Sequence, residues 1–313
     1  MKRQPGQQGI TQLRVGPNDD GIRLDVFLAG KFGRSRTQIR NRLTGKVQNA
    51  NQVPIKWSHR LQIGEVIRVQ TIIRPEPEVA VIYRLLYEDE WLVAVDKGPG
   101  APVHPTKSFR TRTIVTRLRE ELDQPTLNPV HRLDRETSGV LVFGRTPQTV
   151  SRLMKQFKER LVRKEYLAIV RGSPDFEKIC INEPLGPDSD FPISCRVKVD
   201  LEHGRPAMTD FEVLSRHPGC SLVAARPGTG RQHQIRVHLE HLGHPILGDK
   251  LYQEQGQPYL AMIHDNLDDE TLARLGHTRQ ALHAESLIFR HPHTKQEMCI
   301  RAPLPEELKA LLI

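Results

Sequence analysis

Apolar residues at three-and-four spacing predict helices, and short apolar or alternating runs predict strands. Leu24, Phe27 and Leu28 mark a first helix, and after residues 30–33 a second carries Ile39 and Leu43 on one face. Residues 64–69 read as a closing strand. Further on, residues 85–97 read as strand, and 113–122 as a helix with Ile114, Leu118 and Leu122 in register. Residues 140–143 form an apolar run suited to a buried strand, and Val150, Leu153, Met154, Phe157 and Leu161 trace the core stripe of an amphipathic helix. Residues 165–170, 209–214 and 221–225 read as further strands. Ile235, Leu239 and Leu242 define a helix that Gly243 ends and Pro245 cannot continue. Strands outnumber helices in no strict alternation, so an α+β fold is expected, with a mixed, mainly antiparallel sheet flanked by helices.

Pro75 and Pro77 discourage both helix and central strand, and place a linker at residues 75–79. The chain then divides into a flexible tail (1–20), a small domain (21–74) and a large domain (80–313). Charge sharpens this division. Of the +9 net charge on 313 residues, residues 1–74 carry +10 and the remainder −1. Within the small domain Arg34, Arg36, Arg40, Arg42 and Lys46 lie close together with few aromatics between them. Guanidinium forks match phosphate oxygens, so this is a candidate surface for the phosphates of a polyanion, although a solvated basic face has the same composition. A second strip, residues 145–171, holds eight Lys+Arg against two Glu.

The four cysteines are widely spaced, with no Cys-x-x-Cys pair, which excludes a zinc ribbon and a secreted disulfide scaffold. No apolar run approaches a membrane span and no apolar segment follows the two N-terminal basic residues, so a cytoplasmic protein with no membrane partner is expected. His238, His241 and His244 are three apart, but Gly243 and Pro245 break the helix that would align them, and no metal site is expected. Residues 228–231 lack the spacing of a phosphate-cradling loop, and Ser138 is not in a nucleophile elbow.

The densest polar segment is His131-Arg132-Leu133-Asp134-Arg135-Glu136-Thr137-Ser138-Gly139, immediately before the apolar run. A carboxylate between two arginines is held ionised, which suits a nucleophile or general base, and equally one half of a structural ion pair. Spacing leaves both open. This segment resembles the signature of RluA-type RNA pseudouridine synthases, and the likeness continues in order through Lys164-Glu165-Tyr166, Gly204-Arg205-Pro206, and residues 227–238 with 242–249. Residues 21–69 resemble an S4 RNA-binding domain, through Arg23-Leu24-Asp25-Val26-Phe27-Leu28, Ser35-Arg36-Thr37-Gln38-Ile39 and Gly45-Lys46-Val47. Two family positions differ: Lys-Pro-x-Gly stands as Lys97-Gly98-Pro99-Gly100, and the alanine after the apolar run is Gly144.

The resemblance implies an isomerase that converts uridine to pseudouridine in RNA, breaking the C1′–N1 bond and joining C5 to C1′. Nothing is oxidised or hydrolysed, so no cofactor, nucleotide cofactors included, is implied. It makes Asp134 the catalytic carboxylate, Arg236 its ion-pair partner and Tyr166 the residue against the uracil. Arg132 would fill the stack vacated by a flipped base, or clamp a phosphate. Large-subunit (23S) ribosomal RNA is the implied substrate; the alternatives are transfer RNA, or a non-catalytic RNA-binding ribosome-assembly factor.

Overall fold

The computed structural model describes residues 7–33, 35–73, 76–106 and 108–313. Arg34, Arg74 and Pro75 lie outside the described residues. The chain divides into two compact units, one ending at Glu76 and the other running from Pro77 to Ile313.

In the first unit, α1 (Leu24–Phe32) and α2 (Arg36–Leu43) pack on a sheet of β1 (Gln7–Arg14), β2 (Val47–Asn49) and β3 (Val66–Ile73). The order is β1-β3-β2, antiparallel throughout. Gly33 ends α1 in the left-handed conformation, φ 58°, and Ser35 with Gln38 forms a capping box at the head of α2. Leu24, Phe27, Leu28, Ile39, Ile67 and Val69 form the core. The expected flexible tail (1–20) is corrected over the described part, because Gln7–Arg14 pairs with β3 along its whole length; residues 1–6 lie outside the described residues. Its polar sequence gives no alternation signal. The strand is held by its backbone ladder and by Val15, buried in the core just beyond it.

The second unit is built on a mixed sheet of ten strands among the described residues. These are β4 (Tyr83–Glu88), β5 (Leu92–Lys97), β6 (Asn128–Pro129), β7 (Ser138–Gly144), β8 (Arg163–Arg171), β9 (Lys178–Ile181), β12 (Thr209–His217), β13 (Cys220–Pro227), β14 (Leu282–Arg290) and β15 (Glu297–Arg301); β10 (Leu185–Pro187) and β11 (Val197–Val199) form a separate ribbon. The main path is β4-β5-β7-β14-β8-β13-β12-β9. β7 and β14 pair in parallel, and the other described pairs are antiparallel, as the sequence predicts. Helix α3 (Ile114–Glu121) covers Val93, Val95, Leu141 and Phe143 on one face, while α4 (Pro147–Lys158) covers Leu92, Ala94, Val140 and Val142 on the other. Burial on both faces is why β7 reads as an unbroken apolar run. Helix α5 (Gln234–His241) packs through Ile235 and Leu239 on β8 and β13.

Two expectations change. Residues 85–97 are a hairpin, not one strand, because Asp89 Oδ1 accepts from the backbone N–H groups of Trp91 (2.7 Å) and Leu92 (2.8 Å) and turns the chain. The amphipathic stripe is shorter than its spacing suggests: Leu153 is buried, but Met154 is exposed, and Leu161 lies beyond the end of α4 and is exposed too. The departure at Gly144 also has a cause. A β-carbon there would press within 2.9 Å of the backbone nitrogen of Val150, so glycine lets the first turn of α4 lie against β7.

Candidate active site

Asp134 lies in the turn that leads into β7, where Thr137 N–H donates to its carbonyl at 3.1 Å. Buried cations hold the carbonyls that follow. Lys97 Nζ, at the end of β5, donates to the carbonyls of Gly98 (2.9 Å), Arg135 (3.0 Å) and Thr137 (2.9 Å), and Arg279 Nη1 donates to that of Glu136 (3.0 Å). Lys97 is fully buried with carbonyls as its partners; burial, reinforced by the charge of Arg279, lowers its pKa to about 7. Gly139 follows at φ 113°, and a β-carbon there would collide with the Ala284 backbone of the parallel neighbour. The turn is therefore fixed by backbone contacts on several sides.

The Asp134 side chain opens into a cleft of about 590 Å³. Arg236, in the first turn of α5, donates from Nη1 to Asp134 Oδ2 at 2.8 Å. Its other edge makes a two-pronged contact with buried Asp249, Nε to Oδ2 at 2.6 Å and Nη2 to Oδ1 at 2.9 Å. The Tyr252 ring lies under the guanidinium, 4.8 Å from ring centre to Cζ. Burial opposes ionisation of Asp134, but the charge and hydrogen bond of Arg236, with the charge of Arg132, outweigh it and hold the carboxyl below its usual range. No hydrogen bond from the described residues reaches its Oδ1.

Tyr166 faces the same cleft from β8, flanked in the sheet by Ala225 of β13 and Ala284 of β14, whose small side chains leave its ring room. Burial, with Asp134 nearby, pushes its phenol well above the usual range, so it is a neutral hydroxyl. Lys164, two residues earlier on the strand, donates to the Thr229 carbonyl at 2.8 Å; burial and then Arg160 lower its pKa to about 8. His131 is a structural member of its motif. Its Nε2 accepts from Val142 N–H at 3.2 Å, its ring stacks on Phe157 at 5.0 Å, and burial lowers its pKa to about 3, keeping it neutral.

Asp134, Tyr166, Arg236 and Arg132 thus line one cleft, with Arg132 exposed and unpaired among the described residues. The small-unit cations are arranged differently from the expectation. Arg36 and Arg40, with Arg23, converge on Asp25, a fully buried carboxylate of α1. Burial would raise the Asp25 pKa, but the three guanidinium groups drive it far below the usual range. Arg42 is exposed and Lys46 half-buried; Arg34 is outside the described residues.

Residues 91–241 match the family described as RNA pseudouridylate synthase. The chain is 33% identical over 317 residues to the "Ribosomal large subunit pseudouridine synthase C" of Pasteurella multocida (strain Pm70), covering 97% of this chain and 94% of that relative. The chain belongs to the RNA pseudouridine synthase family. It is also 32% identical over 314 residues to the "Ribosomal large subunit pseudouridine synthase D" of Nitrosomonas europaea (strain ATCC 19718), covering 97% and 88% of the two chains. Among solved structures, "Human RNA Pseudouridylate Synthase Domain Containing 1" aligns with a TM-score of 0.59 and 27% identity, over 76% of this chain and 90% of that one. A pseudouridine synthase is an isomerase, in keeping with the expectation from the motifs. Sequence reasoning did not single out Asp249, Tyr252, His233 or the loop-holding pair Lys97 and Arg279. Asp249 and His233 stand inside the quoted motif segments, but nothing in their spacing names Arg236 and Asp134 as their neighbours.

Proposed function

We propose that this pseudouridine synthase acts on uridines of large-subunit ribosomal RNA, with Asp134 as the reacting carboxylate. The observation that carries the reading is the asymmetric environment of Asp134, a cleft-lining carboxylate held ionised by Arg236 through Oδ2 while Oδ1 accepts no hydrogen bond from the described residues. The cleft, at about 590 Å³, is in the size range of small-ligand sites, which suits a nucleotide turned out of its RNA strand. Tyr166 lies against the uracil, and the neutral phenol offers a hydroxyl without competing for charge. Asp134 acts as nucleophile toward the sugar or base, or as the base that takes a sugar proton. Arg236 stays bound to both Asp134 and Asp249 and keeps the carboxylate ionised and oriented.

Arg132, Lys158, Arg160 and Arg231 line the cleft and suit the phosphates flanking the flipped nucleotide. Residues 21–74 are the S4-like RNA-binding domain, with Arg36, Arg40, Arg42 and Lys46 facing phosphate. Full-length relatives named for the ribosomal large subunit support ribosomal over transfer RNA, and Asp134, Tyr166 and Arg236 together in one cleft favour an enzyme over a non-catalytic assembly factor. The cytoplasm is the inferred compartment, in line with four free cysteines.

Tritium release from RNA labelled at C5 of uridine tests the substrate class. Large-subunit ribosomal RNA is expected to release tritium and then saturate at a small number of sites, while a transfer RNA pool stays near background. Release from transfer RNA alone overturns the assignment.

A further inference from the structure

His233 is the residue before α5, with φ 56° and ψ 16°, a left-handed conformation uncommon for a residue with a β-carbon. It caps nothing with its side chain. Strain of this kind gathers at functional sites, where surrounding structure holds a residue in place. Here the ring is held between Tyr252 and Asp134. Its Nδ1 lies 2.9 Å from the Tyr252 hydroxyl, the two rings meet edge to face at 83°, and its Nε2 is 3.7 Å from Asp134 Oδ2.

The proton positions on this relay follow from the donors available. Val197 N–H donates to the Tyr252 hydroxyl oxygen at 3.1 Å. The hydrogen of that hydroxyl then has a single acceptor within reach among the described residues, His233 Nδ1. An accepting Nδ1 puts the imidazole proton on Nε2, the atom that faces Asp134. Burial, and then the charge of Arg236, lower the His233 pKa to about 4, so the ring is a neutral donor. A neutral N–H orients a carboxylate without the extra charge that would blunt its reactivity. At 3.7 Å the contact is longer than a hydrogen bond, and such contacts close when a bound substrate displaces water.

We propose that His233 is a positioning residue which, together with Arg236, anchors Oδ2 of Asp134 and so makes Oδ1 the oxygen that reacts. Both neighbours approach the same oxygen, and the other carries no hydrogen bond from the described residues. The proposal rests on the reading of Asp134 as the reacting carboxylate.

The test is steady-state tritium release by the full-length protein. His233→Ala and His233→Gly, the latter free of backbone strain, should each lower kcat about thirtyfold while KM for RNA stays within about twofold. His233→Gln, which restores an N–H donor near the Nε2 position, should recover at least about fivefold of that loss. Tyr252→Phe keeps the ring beneath Arg236 and removes only the hydroxyl. It should cost about threefold in the wild type and nothing further in His233→Ala. Full kcat in both His233→Ala and His233→Gly, a glutamine variant no better than alanine, or independent effects of the two residues would each overturn the proposal. Asp134→Asn run alongside separates the two levels: if it releases tritium, the underlying reading fails and this proposal with it, whereas if it is silent, the His233 results bear on the proposal alone.

Discussion

Each unit of this protein is organised around an aspartate and arginine, and the two arrangements are opposites. In the small unit three arginines surround one carboxylate, Asp25, which is wholly buried while the side chains of Arg23, Arg36 and Arg40 stay 36–54% exposed. In the large unit one buried arginine, Arg236, is shared by two carboxylates, and Asp134, which lines the cleft, has an oxygen with no hydrogen bond from the described residues. The first arrangement hides the anion and presents cations. The second hides the cation and presents an anion. The same pair of side chains therefore presents cations in one place and a carboxylate in the other, which the proposed function assigns to phosphate contact and to reaction, and burial decides which.

The comparison is most severely tested at Arg236. Lysine at this position keeps the charge but cannot fork between Asp134 and Asp249, so Arg236→Lys should lower kcat about a hundredfold with little change in RNA affinity. Single-turnover kinetics with a parallel binding titration would measure both, and an equal loss in affinity and rate would mean that Arg236 holds RNA rather than the carboxylate.

Asp25→Asn should act on the other side of the comparison. Losing the shared acceptor should cost about 1–3 kcal/mol of stability and weaken RNA binding, while kcat at saturating RNA is unchanged. The pH dependence has a definite sign. Asp25 is an acid whose folded pKa lies below its unfolded value of about 3.9, so its contribution is present at neutral pH and disappears as pH falls through that window. The difference in melting temperature between wild type and Asp25→Asn should therefore narrow from pH 7 to pH 3, and a gap that widens would contradict the assignment.

The smallest effect is expected at Arg42, which is exposed and outside the Asp25 cluster. Arg42→Ala should reduce the slope of log affinity against log salt by about 1 without altering kcat. An unchanged slope would remove Arg42 from the phosphate surface.

Much of this was legible in the sequence because it is local. The buried strand at residues 140–143, the paired helices of the small unit and the order of motifs around Asp134, Tyr166 and Arg236 all lie in short stretches of chain. What was not legible depends on contacts across the fold. Asp249 meets Arg236 only after the chain turns back beyond α5, and Lys97 and Arg279 reach the Asp134 turn from distant strand ends. Gln7–Arg14 is a strand because β3 pairs with it, not because its side chains alternate. Asp25 was quoted as a motif residue, but its burial beneath three arginines turns Arg36 and Arg40 from free cations into partly committed ones.

The most direct measurement is single-turnover tritium release by Asp134→Asn at saturating large-subunit ribosomal RNA, with the dissociation constant determined on the same preparation. A reacting carboxylate predicts release lowered by at least about a thousandfold while binding stays within about twofold of wild type. Release within about tenfold of wild type by a variant that binds RNA normally would contradict the account and reduce Asp134 to a structural partner of Arg236.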